Sequence, residues 1–208
     1  MFYENTHEIT LGGKTAILPT GIVGRIGKCW SAGAFYEKGV LKHIRSLKLR
    51  GRYVDIGMNN GNHSLFFAKM CGSTQVISFE PYPEHIDKAA ELFCLNNVRR
   101  KVRVFNCALG SKPDTVKLAI RGDEINVPVM MLDALFLKDV KIIKIDVEGA
   151  EYSVLKGAEE TIKREKPHLF VEIFDHTFEQ TSEYICGLGY SVGRKFKSPT
   201  YEFTPIVE

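Results

Sequence analysis

The feature that most restricts the fold of this chain is an alternation beginning at Tyr53. Short apolar runs of strand length take turns with longer amphipathic stretches almost to the end of the sequence. YVDIG (53–57), TQVISFE (74–80) and VRVFNCAL (102–109) read as strands, with NHSLFFAKMC (62–71) and PEHIDKAAELFCLNN (83–97) as the helices between them. VKIIKIDV (140–147), AEYSVLKGAEETIKRE (150–165), PHLFVEIF (167–174) and TSEYICGLG (181–189) continue as strand, helix, strand and helix. YSVGRKFK (190–197) and YEFTPIV (201–207), joined through SPT, read as a closing hairpin on a sheet edge. Strands this apolar need cover on both faces. The pattern therefore predicts an α/β fold: a doubly wound, mostly parallel sheet of about seven strands.

Two stretches interrupt the order. TVKLAI (115–120) and VPVMML (127–132) fit either an added hairpin or a loop crossing the sheet. The first 50 residues are less regular. TAILPTGIVGRIG breaks into short apolar pieces, and SAGAFYEKGVLKHIRSL (31–47) reads as one helix with Leu41, Ile44 and Leu47 along a face. The expected division is an N-terminal segment, 1–50, that belongs to the same domain as 51–208.

Composition narrows the class. With 44% hydrophobic and 25% charged residues the chain is an ordinary globular one. A formal net charge of +3 and a single basic cluster at 42–52 do not call for a nucleic-acid partner. The five cysteines, at 29, 71, 94, 107 and 186, are odd in number and form no CxxC, so neither a disulfide framework nor a zinc site is expected. Free thiols suit a reducing compartment, the cytoplasm. MFYENTHEIT has neither a basic start nor an apolar run, so no secretory leader is expected, and no stretch has the length of a transmembrane span. Oligomeric state has no signature in the sequence.

The chemistry-bearing stretch is YVDIGMNNGNHSLF (53–66). Ligands of open α/β sheets sit outside the carboxyl ends of the strands, at the point where strand order reverses. Gly57 and Gly61 fall at such an end and allow a tight turn with close backbone approach. Asn62 and Ser64 stand at the helix start, where a polar side chain can cap free N–H groups. The spacing is GxxxG with Asn59 in the middle, which departs from the GxGxxG of dinucleotide sites, and no GKxST phosphate loop is present. Asp55 would repel a phosphate and suits a cationic ammonium. Glu80 ends the second strand, where an acid accepts hydrogen bonds from both hydroxyls of a ribose. Pro81 stops that strand, Tyr82 is available to the base, and Asn106, Cys107 and Ala108 end the third strand beside it. An adenosine site whose other end carries an amine has the shape of S-adenosylmethionine.

The reaction end follows from charges on a strand that should be buried. Lys144, Asp146 and Glu148 are costly there unless paired or used. Glu151 suits the start of the next helix. Glu172 ends the neighbouring strand, so Asp146 and Glu172 should converge at the crevice, with Asp175 and His176 just beyond. Such a cluster can deprotonate a hydroxyl as general base or bind a divalent cation that lowers the hydroxyl's pKa. His7, His43, His63, His85 and His168 lack ligand spacing and read as structural or exposed.

VDIGMNNGNHS (54–64), FEPYPE (79–84), NCALG (106–110), KIDVEGAEYSVLKGAEETI (144–162) and PHLFVEI (167–173) together resemble the FkbM family of S-adenosylmethionine-dependent methyltransferases. The resemblance implies a class I, Rossmann-like sheet with an antiparallel last strand and methylation of hydroxyl oxygens. Family acceptors include sugars, lipopolysaccharide or glycolipid parts and polyketide macrolides. It implies that Asp55, Gly57, Asn59, Gly61 and Glu80 hold the cofactor and that Asp146 and Glu148 lie beside methyl donor and acceptor. The acceptor pocket then falls to the first 50 residues, the 111–132 stretch and the loop after Glu172, an open site suited to a terminal sugar on a glycan. A chain this short also fits one module of a larger glycan-modifying enzyme. Three rivals are weaker. A base-amine methyltransferase of nucleic acid calls for (N/D)PP(Y/F) where DVEG stands, and Lys144, Asp146 and Glu172 give only part of the Lys-Asp-Lys-Glu set of ribose methylation. Against a non-catalytic binding protein stand the intact cofactor residues, and nicotinamide chemistry lacks its glycine motif.

Overall fold

A computed structural model describes residues 5–120 and 123–206. The first four residues of the leader reading and Val207 of the last expected strand lie outside that range. The N-terminal residues fold as a hairpin, β1 (Thr6–Leu11) and β2 (Lys14–Pro19), followed by helices α1 (Arg25–Ser31) and α2 (Lys38–Ser46). Then come β3 (Gly51–Ile56), α3 (Asn62–Met70), β4 (Ser73–Phe79), α4 (Pro83–Leu95), β5 (Val102–Phe105) and the two-residue β6 (Ala108–Leu109). A hairpin of β7 (Asp114–Ile120) and β8 (Asp123–Met130) precedes β9 (Val140–Ile145). The chain closes with α5 (Glu151–Lys156), α6 (Glu159–Glu165), β10 (His168–Glu172), α7 (Phe178–Gly187), β11 (Tyr190–Lys195) and β12 (Thr200–Pro205).

Seven strands form one sheet in the order β11-β12-β10-β9-β3-β4-β5. β3, β4, β5, β9 and β10 are parallel, and β12 runs antiparallel between β10 and β11. Strand order reverses at β3, whose neighbours are β4 on one side and β9 on the other. The crevice expected at such a reversal opens at the carboxyl ends of these strands.

Period-two alternation assigns the side chains to two cores. On one face Tyr53, Val76, Ile142 and Phe170 pack with Leu65, Phe67 and Leu92; on the other Val54, Ile77, Ile143 and Val171 pack with Val154, Leu155, Ile162 and Ile185. The first core also takes Leu18, Trp30, Leu41 and Ile44 from the N-terminal segment, each with no exposed surface. Burying a large apolar side chain contributes about 1.5–3 kcal/mol, so four of them weigh on the scale of a whole domain's net stability of about 5–15 kcal/mol.

Three expected elements differ from the expectation. The helix expected over 31–47 is confined to α2, because the chain before it turns through left-handed positions at Gly33 (φ 66) and Glu37 (φ 52); α1 falls on 25–31, in the stretch expected as short apolar pieces. The helix over 150–165 breaks at Gly157, where a β-carbon would overlap the carbonyl oxygen of Gly110. The strand over 102–109 stops at Phe105, and Ala108–Leu109 leave the main sheet to pair with β8. The interrupting stretches form the antiparallel β7–β8 hairpin, making with β6 a separate three-stranded sheet. Among the described residues no helix is long and apolar enough to cross a membrane.

Candidate active site

The loop after β3 turns on three left-handed residues, Gly57 (φ 84), Asn59 (φ 51) and Gly61 (φ 88), which explains its residue types: asparagine is the side chain that best tolerates that region after glycine. Gly57 also allows close packing, since a β-carbon there would overlap the carbonyl oxygen of Asp146 on the neighbouring strand. The backbone N–H groups of Gly57 and Met58 both donate to Phe79 O at 3.0 Å, tying the loop to the end of β4. One residue further, Glu80 is 3% exposed and organises the turn. Its Oε2 accepts from Asn59 N at 2.7 Å and its Oε1 from Tyr82 N at 3.0 Å, with His85 Nδ1 at 3.2 Å. Asn106 Nδ2 donates to the carbonyls of Glu80 and Pro81, at 3.1 and 2.9 Å.

The second half of the site is a buried ionic cluster. Lys144 has no exposed surface; its Nζ lies 2.6 Å from Asp146 Oδ2 and 3.7 Å from Glu37 Oε2. Burial disfavours its charge, but the carboxylates of Asp146 and Glu37 outweigh that and raise its pKa above the ordinary lysine value. Burial likewise opposes ionisation of Asp146, and Lys144 overcomes it, holding that carboxyl below its usual range. Glu172 hydrogen-bonds to Asp146 and is partly buried, and the two effects push its carboxyl up to about 8. The pair therefore shares one proton, resident on Glu172, at neutral pH.

These two halves face one cavity of about 1430 Å³. Gly57, Asn59, Glu80, Pro81, Cys107, Ala108, Asp146, Glu148 and Glu172 all line it. Its outer walls come from Ile22–Ile26 and Tyr36 of the N-terminal segment and from Asp114, Val116, Leu118 and Val129 of the β7–β8 sheet. Burial pushes the Cys107 thiol up to about 11, so it remains protonated. The residues fit the expected cofactor. Glu80 Oε2 keeps lone-pair capacity beyond Asn59 N, the loop backbone is open to close approach, and the volume exceeds the roughly 300–1,000 Å³ of a usual small-molecule site.

Other expected residues sit elsewhere. Asn62 and Ser64 do not cap α3, whose N-cap, Gly61, receives no side-chain bond. The helix is buried nearly all round, so their polar groups turn inward to partners in the interior. Asn62 Oδ1 accepts from Trp30 Nε1 at 2.9 Å and Tyr36 N at 3.1 Å, pinning the N-terminal segment to the loop. Ser64 Oγ donates to Asp55 Oδ2 and lies 2.8 Å from Ser78 Oγ. Asp55 is fully buried behind the cavity wall, and burial raises its pKa. Among the described residues its second oxygen has no hydrogen-bond partner. Gly61 is also off the wall, packed against Phe93 and Ala89 of α4. His176 is exposed, stacked on Phe174 with centroids 6.1 Å apart, and does not join Asp146 and Glu172. Glu151 Oε1 accepts from Gly149 N at 2.9 Å at the start of α5. A divalent cation finds no support: among the described residues no group of three or more His, Cys, Asp or Glu could hold one. Lys144 already supplies the positive charge beside Asp146.

Sequence reasoning missed Glu37, Tyr36 and His63. Glu37 falls within the helix expected over 31–47, but sits instead at the left-handed turn that opens α2. His63 was read as structural or exposed, yet it lines the cavity with its Nε2 2.9 Å from Glu37 Oε2.

The family profile described as "Methyltransferase FkbM domain" matches residues 55–192. Among solved structures, a methyltransferase FkbM from Methylobacillus flagellatus KT is similar in fold, with TM-score 0.61 and 20% identity over 76% of this chain and 44% of that one. An rRNA methylase from Streptococcus thermophilus follows at TM-score 0.55 and 14% identity, covering 79% of this chain and 92% of its own. Among curated proteins, "Methyltransferase sdnD" of Sordaria araneosa is 24% identical over 155 residues, 51% of this chain and 60% of that protein. The chain thus spans less than two thirds of the length of the FkbM structure and of the curated relative. With strand order and glycine loop in place and a profile covering most of its length, this chain belongs to the FkbM methyltransferase domain family.

Proposed function

We propose that this chain is an S-adenosylmethionine-dependent O-methyltransferase whose acceptor is a hydroxyl of a sugar on a glycan or glycoconjugate. The observation that carries the reading is the meeting, around one cavity, of the Gly57–Asn59 turn, the Glu80 carboxylate and the Asp146–Glu172 pair. Glu80 orients the ribose, and Cys107, Ala108 and Tyr82 border the base. When bound, S-adenosylmethionine supplies a methyl group already activated on a sulfonium. The protein is left to align the acceptor, exclude water and take one proton. With the cofactor held by the Gly57–Asn59 turn and Glu80, the Asp146–Glu172 pair would take the proton that the acceptor hydroxyl gives up on methylation. That pair accepts it best once Glu172 has ionised, so transfer speeds up as pH rises through about 8. The size and openness of the site favour a terminal sugar, and the mixed apolar and polar walls suit a sugar ring's two faces.

The test supplies methyl-labelled S-adenosylmethionine to the purified protein with fractionated host extract, scoring glycan, small-molecule, RNA and protein fractions. Label in glycan that resists ester cleavage by base supports a sugar ether. Label in RNA overturns the acceptor while keeping the cofactor. No label in any fraction, with the cofactor bound, marks a non-catalytic binding protein. Two substitutions separate the ends of the site: Glu80→Ala weakens cofactor binding, and Asp146→Asn slows transfer more than it weakens binding. Full turnover with an unchanged pH profile in Asp146→Asn refutes the assigned reaction centre.

A further inference from the structure

The N-terminal segment contributes more than a wall. Glu37 lies outside the residues matched to the family, yet its side chain is 4% exposed and reaches the centre of the ionic cluster. We propose that Glu37 is a positioning residue of the transfer site: it fixes Lys144, and through Lys144 sets the charge of the Asp146–Glu172 pair that faces the acceptor. This inference rests on the reaction centre assigned above.

Glu37 adopts a left-handed backbone, φ 52, which a residue with a β-carbon enters only when its surroundings hold it there. What holds it is its carboxylate. Oε2 lies 2.9 Å from His63 Nε2 on α3 and 3.7 Å from Lys144 Nζ on β9, while Oε1 accepts from Thr200 Oγ1 on β12 at 3.2 Å. Three elements of the fold thus converge on one side chain. A neutral residue could pin the segment as well. A buried carboxylate is costly there unless its charge is used.

Charge balance states the use. Among the described residues Lys144 is the one fully buried cation, and Asp55 on β3, Asp146 just after β9, Glu172 on β10 and Glu37 all act on it. Tyr36 and His63 flank the cluster, Ser198 approaches Glu37 from the β11–β12 turn, and Arg25 approaches Tyr36. Carboxyls outnumber permanent cations, and two of them favour the protonated form: Asp55 through burial, and Glu172, which faces the cavity, through its bond to Asp146 and partial burial. Glu37 competes with Asp146 for Lys144 and also repels a charge on Glu172. Removing the Glu37 charge leaves Lys144 to Asp146 and Glu172, and the retained proton leaves at lower pH. A residue that merely packed would leave that proton where it is.

The experiment reads the carboxyl groups directly by ¹³C NMR across pH in the full chain, without cofactor or acceptor. Its outcome therefore does not depend on methyl transfer. Glu172→Gln assigns the signal. In Glu37→Gln, which keeps shape and hydrogen-bond reach, the Glu172 titration moves down by on the order of one pH unit, the size expected for loss of one nearby charge in a half-buried site. If Glu37→Gln does not fold, Glu37→Asp draws the carboxylate back from Lys144 and shifts the titration in the same direction. An unmoved titration in the folded variant, even with altered stability, overturns the proposal and leaves Glu37 a structural clamp. A downward shift with no transfer to any fraction retains the electrostatic role and refutes only the proposed reaction.

Discussion

Gly57 is where the loop, the sheet and the proposed reaction centre meet, and its replacement by alanine has a cost that can be worked out by parts. The residue has φ 84, which costs a side chain with a β-carbon about 1–2 kcal/mol. The added carbon would also overlap Asp146 O, and relieving overpacking against a backbone atom costs about 1–3 kcal/mol. Relief means moving β3 from β9, which stretches Asp146 N to Ile56 O (2.9 Å). The weakened bond adds about 0.5–1.5 kcal/mol. The expected loss is about 2.5–6.5 kcal/mol in urea unfolding, with cofactor affinity falling because the turn no longer presents its backbone. Gly149→Ala is the control. It has φ 104 but open space around the added carbon, so it incurs strain alone, about 1–2 kcal/mol. If the two variants unfold within about 0.5 kcal/mol of each other, close β3–β9 approach does not require Gly57, and the reasoning fails.

Other perturbations report on separate parts of the site. Lys144→Met strands Asp146 and Glu37 as buried charges without their cation; breaking such a pair costs about 3–5 kcal/mol, read from the urea midpoint. Asn62→Ala leaves Trp30 Nε1 and Tyr36 N without their acceptor, a loss of about 2–4 kcal/mol. Trp30 is the sole tryptophan, so its fluorescence reports the release of the N-terminal segment without interference. The Glu172 carboxyl is raised in the folded state to about 8 from 4.5, so its contribution to stability is full below its unfolded value and is lost as pH rises through about 8. Wild-type protein should lose unfolding midpoint as pH rises from about 4.5 to about 8 and level off above, and Glu172→Gln should flatten that decline; parallel curves would mean the proton is not held there.

How much of this was legible depended on whether a residue's role followed from its place in a repeating element. The parallel sheet was legible because its strands are apolar on both faces, as Val54, Ile77, Ile143 and Val171 on one side and Tyr53, Val76, Ile142 and Phe170 on the other bear out. The left-handed turn was legible in residue types, since few residues besides glycine and asparagine settle at φ values of 84, 51 and 88. Glu80, Asp146 and Glu172 were legible because each ends a strand on the same side of the sheet. The failures share a different cause. Asn62 and Ser64 were read as caps because their position resembles one, but α3 is buried on nearly every side and turns their polar groups to inward partners. Local spacing does not disclose that burial. Lys144 announced itself as a charge with no place in a buried strand, yet nothing local to it points to Glu37. That contact depends on a left-handed turn in an irregular segment and on α3 and β12 arriving beside it. The periodic part of such a chain specifies where a cofactor can lie. The irregular part, tied down by Asn62 and Glu37, brings the remaining charge and wall to the place where an acceptor must be held.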